Sequence, residues 1–121
     1  VGISESLFHE LAMRNTNVGV SALCPGFVKT RIFESGRNMP NELKSYNESP
    51  DAKMLNDLGS AAVNAGIDAD IVANAVADAV LNKKFWILTH ERAALRTTEQ
   101  RLEWMRGSGA ATINLEGATQ P

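Results

Sequence analysis

Residues 17–30 read NVGVSALCPGFVKT, a short apolar run followed by an abrupt turn signal. The run over residues 18–24 is rich in valine and small side chains, which is typical of a β-strand. Pro25 has no N–H to give to a sheet, so the strand must end at or just before it, and Gly26 lets the chain turn sharply. The turn therefore lies at the carboxyl edge of a sheet, the edge at which open α/β sheets bind ligands.

Helical patterns and a second strand surround this turn. Residues 3–14 repeat apolar side chains at helical spacing, and residues 69–81 do so again, with Asp68 as the expected N-cap. Residues 85–89 form a near-continuous apolar run, which predicts a strand covered on both faces, as in parallel sheets. Two strands joined through a helix make a βαβ unit, and two strands are too few to form a stable sheet alone.

The connection over residues 31–67 is long and contains many proline, glycine, asparagine and serine residues. Long connections of this kind usually serve as mobile or functional segments. One short helix is expected inside it, with Ser49 as the N-cap and Pro50 at its first position. Further on, residues 91–106 predict a charged helix that ends at glycine, and residues 107–121 a flexible tail.

The segment PGFVKT, residues 25–30, resembles the P-G-x-V-x-T segment of the short-chain dehydrogenase/reductase family. In that family the segment follows the sixth strand of a nicotinamide-binding Rossmann fold. The helix over residues 3–14 is similar to the family's helix that begins with a catalytic Tyr-x-x-x-Lys, and the chain starts just after the place of that motif. The resemblance covers most of residues 1–92.

The resemblance implies an α/β fold, the C-terminal part of a Rossmann-type doubly wound parallel sheet, incomplete on its own. Its elements follow as helix, strand, lid, helix, strand and helix. Residues 1–106 would be the C-terminal half of an NAD(P)-binding domain, and residues 31–67 its substrate-binding loop.

The resemblance also implies an activity, which is hydride transfer between NAD or NADP and an alcohol or carbonyl substrate. Pro25, Gly26, Phe27 and Val28 would form the backbone segment against the nicotinamide, and the hydroxyl of Thr30 would reach its carboxamide or phosphate. The sequence does not distinguish NAD from NADP, because the residues that meet the adenosine ribose would lie upstream.

Apolar side chains of the lid are candidates for substrate binding. Ile32, Phe33 and Met39 could face an apolar substrate, as could Leu43 and Tyr46, and all five could equally be packing residues. Both interpretations remain open from the sequence.

The sequence carries no catalytic residue of the resembled family. Its only tyrosine, Tyr46, is followed four positions later by Pro50 rather than lysine, and no glycine-rich phosphate loop is present. We therefore expect the chain to be a fragment that is inactive alone. The alternative is a non-catalytic interaction or dimerisation module of the same origin.

Composition restricts the partners. A net charge of −2 argues against general binding to nucleic acid or anionic membranes. His9 and His90 stand far apart without neighbouring ligands, so no metal site is expected. The single Cys24 excludes an internal disulfide, and we expect a buried, inert thiol in a reducing, cytoplasmic setting. The resemblance implies a homodimer or homotetramer through helix 3–14 and residues 69–82 and 85–90.

Overall fold

The computed structural model describes residues 1–42, 49–109 and 119 of the 121-residue chain. The predictions for Leu43, Tyr46 and most of the tail fall outside these residues. The described elements follow in the order α1 (Gly2–Met13), β1 (Ala22–Cys24), a 3-10 helix (Ile32–Asn38), α2 (Pro50–Asn64), α3 (Ala69–Leu81), β2 (Trp86–Leu88) and α4 (Glu91–Met105).

The strands β1 and β2 are parallel neighbours, which confirms the predicted βαβ unit. Their register aligns Cys24 with Leu88, and the pairing begins where the amide of Ala22 donates to the carbonyl of Phe85 at 2.7 Å. Each strand has only three residues, so the predicted spans 18–24 and 85–89 were too long. Strand length depends on hydrogen-bonded neighbours, and in the described part of the chain each strand has a neighbour on one side only.

The two faces of the second strand are covered to different extents. Ile87 is buried, whereas Trp86, which points to the opposite face, is 46% exposed. The apolar run of β2 therefore predicted the parallel pairing correctly, whereas the predicted cover of both faces is complete only at Ile87. Cover on the face that carries Trp86 is partial, since Ala22, its register partner in β1, is buried and Leu88 is half-buried.

The connection over residues 31–67 contains more helix than the sequence predicts. It holds the 3-10 helix and the 15-residue α2, rather than one short helix. The predicted start of α2 is confirmed, since Ser49 Oγ accepts a hydrogen bond from the amide of Ala52 at 3.2 Å and Pro50 stands at the first helical position. These local interactions start the helix.

The apolar core of the described residues is small. Its buried members are Ala22, Val63, Ile67, Ala79 and Ile87. The helices α1 and α4 bury none of their residues, and α1 rests on the sheet through Phe8, whose ring centroid lies 5.0 Å from that of Phe85. A two-stranded sheet with so little buried apolar surface is incomplete on its own, as predicted.

The predictions for the end of α4 and for Cys24 have opposite outcomes. The predicted stop after α4 is confirmed, because Gly107 adopts a φ of +82° and the amide of Ser108 bonds the carbonyl of Glu103 at 3.0 Å, as in a Schellman motif. Cys24 is half-buried, so the prediction of a buried thiol was wrong. No helix in the described ranges is long and apolar enough to cross a lipid bilayer.

Candidate functional site

The carboxyl ends of β1 and β2 meet at one edge of the sheet. Continuing the register beyond Cys24 and Leu88 brings the turn at Pro25 and Gly26 beside the residues that follow β2. There the amide of Gly26 donates a hydrogen bond of 3.1 Å to Nδ1 of His90. The turn singled out in the sequence is thus anchored by a side chain that follows β2.

His90 is the one buried polar side chain among the described residues, with 3% of its surface exposed. An amide N–H can only donate, so Nδ1 must accept, and the proton of the neutral ring stands on Nε2. Thr89 Oγ1 also lies 2.9 Å from Nδ1. Desolvation by burial lowers the pKa of His90 below its usual value, which favours this neutral form.

The residues after the turn pair with the loop before α3. The amide of Ile67 donates to the carbonyl of Phe27 at 3.1 Å, and the amide of Lys29 donates to the carbonyl of Ile67 at 2.9 Å. These bonds form an isolated parallel bridge between Val28 and Ile67. Gly66 makes the approach possible, because a Cβ there would overlap the carbonyl group of Phe27 and lie 2.9 Å from the amide nitrogen of Val28.

This bridge decides the direction of the Val28 backbone. In a parallel bridge the neighbours of Val28 bond to Ile67, whereas the N–H and C=O of Val28 itself point to the opposite side. Val28 is half-buried. The edge therefore presents one fixed donor and one fixed acceptor, both directed away from the bridge.

Lys29 and Asp68 form an ion pair at this edge. Lys29 Nζ lies 2.9 Å from Asp68 Oδ1, and both side chains are at least half exposed. Asp68 occupies the N-cap position of α3, as predicted, but its side chain makes no capping hydrogen bond. The carboxylate is directed to Lys29 instead, so the capping interaction predicted for it is absent.

The structure places the predicted site residues in two neighbouring groups. Pro25, Gly26, Phe27, Val28 and Thr30 lie along the edge, and Thr30 is exposed just beyond the bridge. The second group, on or next to the 3-10 helix, consists of Ile32, Phe33 and Met39.

Within the second group the side chains differ in their surroundings. Ile32 is 63% exposed, whereas the ring of Phe33 packs against Gly59 of α2. Phe33 also lines a cleft of about 530 Å³ between the 3-10 helix and α2. Met39 is half-buried and ends the 3-10 helix, where its amide donates to the carbonyl of Gly36 at 3.1 Å.

A larger cavity of about 680 Å³ lies elsewhere, over one face of the sheet. The apolar side chains that line it include Phe8 of α1, Leu23 of β1, Val76 and Val80 of α3, and Ile87 of β2. None of the predicted site residues line it. Its apolar lining is that of a packing surface, and it carries none of the hydrogen-bonding geometry found at the edge.

Sequence reasoning considered His90 only as a metal ligand and so missed its contact with Gly26. A signal was available. In parallel strands the residues that follow the two carboxyl ends lie side by side, and His90 stands as far beyond Leu88 as Gly26 stands beyond Cys24.

A parallel βαβ unit with a turn at its carboxyl edge, the edge at which open α/β sheets bind ligands, is the arrangement of a Rossmann-type α/β protein. The chain superposes with a TM-score of 0.78 on the crystal structure of a short-chain dehydrogenase/reductase from Burkholderia phymatum in complex with NAD, at 27% sequence identity. The match covers 94% of this chain and 42% of that one.

A curated relative agrees with the structural match. The chain is 26% identical over 94 residues to the CLA biosynthesis dehydrogenase/reductase of Lactiplantibacillus plantarum, covering 74% of this chain and 33% of that protein. No family model matches the sequence. Both similarities are to short-chain dehydrogenase/reductases, the family that the turn motif resembles, and the chain spans less than half the length of either relative.

Proposed function

We propose that this chain forms one wall of the nicotinamide pocket of an NAD(P)-dependent oxidoreductase that transfers hydride between the cofactor and an alcohol or carbonyl carbon. The observation that supports this most strongly is the direction of the Val28 N–H and C=O, away from Ile67 and at the carboxyl edge of the sheet. A carboxamide offers one acceptor and one donor group, so it is complementary to that pair. When bound, the nicotinamide supplies or accepts the hydride.

The N–H and C=O of Val28 are suited to binding because the backbone on both sides of them is held in place. Gly26 is bonded to His90, and Phe27 and Lys29 are bonded to Ile67, so Val28 is held on both sides. Groups held in place before a ligand arrives lose less conformational entropy on binding and set its orientation. Val28 would thereby determine which face of the nicotinamide ring meets the substrate, and the exposed hydroxyl of Thr30 would add a bond to the carboxamide or phosphate.

Substrate would approach from the side of the 3-10 helix. Ile32, Phe33 and Met39 follow directly after the edge in the chain, and Ile32 presents an exposed apolar side chain. Their character favours a small or moderately apolar alcohol or carbonyl compound. The proton donor for such a carbonyl would come from a Tyr-x-x-x-Lys motif upstream in the full-length protein, so this chain alone would be inactive, in a cytoplasmic enzyme that uses NAD or NADP.

The test is a titration of the full-length protein with NADH and with NADPH, followed by the fluorescence of the reduced nicotinamide. We expect saturable binding of at least one of them. Absence of binding to both would overturn the proposal. Sequencing the gene upstream of Val1 provides an independent check, because a preceding half without a Tyr-x-x-x-Lys would remove the catalytic role.

The apolar surface of α1 favours a second role, in self-association. Ile3 is 88% exposed, Leu7 44% and Met13 81%, a large apolar area for a surface helix. A homodimer or homotetramer through α1 and residues 69–82 and 85–90 would bury it, either in the enzyme or in a non-catalytic interaction module. Sedimentation velocity of the full-length protein with Ile3→Lys and Leu7→Lys tests this, and an unchanged oligomeric state would contradict it.

A further inference from the structure

His90 is deeply buried, and its hydrogen-bond contacts among the described residues are all at Nδ1, where Thr89 Oγ1 also lies 2.9 Å away. Its Nδ1 accepts from the amide of Gly26, while its Nε2 is buried without a hydrogen-bond partner among the described residues. We propose that His90 is a positioning residue for the cofactor, which holds the turn at Gly26 so that the Val28 backbone meets the nicotinamide. This inference rests on the proposed function and adds to it a residue outside the P-G-x-V-x-T segment.

The unpaired Nε2 indicates that Nδ1, rather than Nε2, is the atom that accounts for a histidine at this position. Burying an N–H without a partner carries a desolvation cost, which a leucine or phenylalanine in the same space would avoid. What the imidazole offers and an apolar side chain does not is the acceptor at Nδ1. A need to fill apolar space does not explain a histidine at this position. A need for a hydrogen-bond acceptor for the amide of Gly26 does explain it.

The position of Gly26 explains why this acceptor affects binding. Glycine has the widest backbone freedom of any residue, so an unrestrained Gly26 would let the turn take several conformations. Gly26 is two residues before Val28, and rotation at Gly26 would redirect the segment that leads into the bridge. The bond to His90 selects one conformation before the cofactor arrives, which lowers the entropic cost of binding.

The direct test is a matched pair of substitutions in the full-length protein, His90→Asn and His90→Leu. The two new side chains have nearly the same size and shape, but the asparagine Oδ1 takes a place close to that of Nδ1 and can accept from Gly26, whereas leucine cannot. We expect His90→Leu to weaken NADH binding by about tenfold, the effect of roughly one lost hydrogen bond, and His90→Asn to recover most of the affinity. Melting temperatures measured in parallel separate general destabilisation from the loss of affinity.

The outcomes distinguish this inference from the proposed function. If the unaltered protein binds NADH and the two variants bind it equally well, His90 has no positioning role and the inference is overturned while the proposed function stands. If the unaltered protein binds neither NADH nor NADPH, both are overturned. Should His90→Leu fail to fold, His90→Phe retains an aromatic ring without the acceptor and takes its place.

A measurement without any variant tests the same bond. In the uniformly ¹⁵N-labelled full-length protein, an N–H···N hydrogen bond produces a scalar coupling between the amide nitrogen of Gly26 and Nδ1 of His90. We expect this coupling together with the ¹⁵N shifts of a neutral ring protonated at Nε2. A proton on Nδ1, with no coupling to Gly26, would overturn the inference.

Discussion

Gly26 and His90 stand 64 positions apart in the chain, and a hydrogen bond of 3.1 Å joins the amide of one to Nδ1 of the other. Gly26 follows β1 and His90 follows β2, so the bond joins the carboxyl ends of the two parallel strands. Together with the bridge between Val28 and Ile67, it converts a Pro-Gly turn into a rigid edge with a fixed donor and acceptor.

The burial of His90 predicts a pH dependence of stability. Its native pKa is lowered by desolvation, while in the unfolded chain the pKa is about 6.5. Above about pH 6.5 the ring is neutral in both states and its full contribution is present. As the pH falls from there towards the lowered native pKa, the unfolded state binds a proton that the native state does not, so the free energy of unfolding decreases.

The check is the melting temperature of the unaltered protein and of His90→Asn at about pH 8 and about pH 5. Asparagine does not titrate, so the unaltered protein should lose more stability than the variant on going to the lower pH. His9 is present in both proteins and cancels in the comparison. Equal losses in the two proteins would show that His90 is not held neutral by the fold.

Gly66→Ala should destabilise the protein by about 1–3 kcal/mol, the usual cost of forcing extra atoms into a packed site. The added Cβ would overlap the carbonyl of Phe27 and press on the amide of Val28, so the bridge would have to open. Gly19→Ala is the matched control, because a Cβ at Gly19 meets no atom within 4 Å. Urea denaturation of both variants measures the difference, and equal free energies of unfolding would contradict the close approach at Gly66.

The two helix N-caps should respond differently to alanine. Ser49→Ala removes an actual capping bond to the amide of Ala52 and should cost about 1 kcal/mol. Asp68→Ala removes only an exposed ion pair with Lys29, so the loss should be about 0–1 kcal/mol and should shrink in high salt. The free energies of unfolding at low and high salt test both statements. A larger, salt-independent loss for Asp68→Ala would indicate that Asp68 caps α3 after all.

Thr30→Ala in the full-length protein should raise the dissociation constant of NADH about two- to tenfold, the effect of one hydroxyl hydrogen bond. Thr97→Ala is the control, since among the described residues the hydroxyl of Thr97 donates to the carbonyl of Ala93 within α4. Fluorescence titration measures both. Unchanged affinity for Thr30→Ala would remove Thr30 from the proposed site and leave the backbone contact of Val28 to be tested separately.

The features that the sequence predicted well are those that local interactions decide. Ser49 and Pro50 start α2, and Gly107 ends α4, through contacts within a few residues. The order of helix and strand, and with it the parallel pairing, followed from hydrophobic periodicity and the turn at Pro25.

The features that it predicted poorly depend on residues distant in the chain. The strand predicted over residues 18–24 is limited to Ala22–Cys24 in the structure, because strand length depends on hydrogen-bonded neighbouring strands. The side chain of Asp68 pairs with Lys29, 39 positions earlier, instead of capping its own helix. His90 accepts a hydrogen bond from Gly26, 64 positions earlier. Such partners become visible only when the sheet register is known, which is also why the site required the structure.

The central claim is that the Val28 backbone contacts the nicotinamide. The most direct measurement is an NMR titration of the ¹⁵N-labelled full-length protein with NADH, following the amide of Val28 and, as a remote reference, that of Gly107 at the end of α4. The account predicts a saturable shift of the Val28 amide with the same dissociation constant as NADH fluorescence, while Gly107 stays in place. Saturable NADH binding that leaves the Val28 amide unmoved would contradict it.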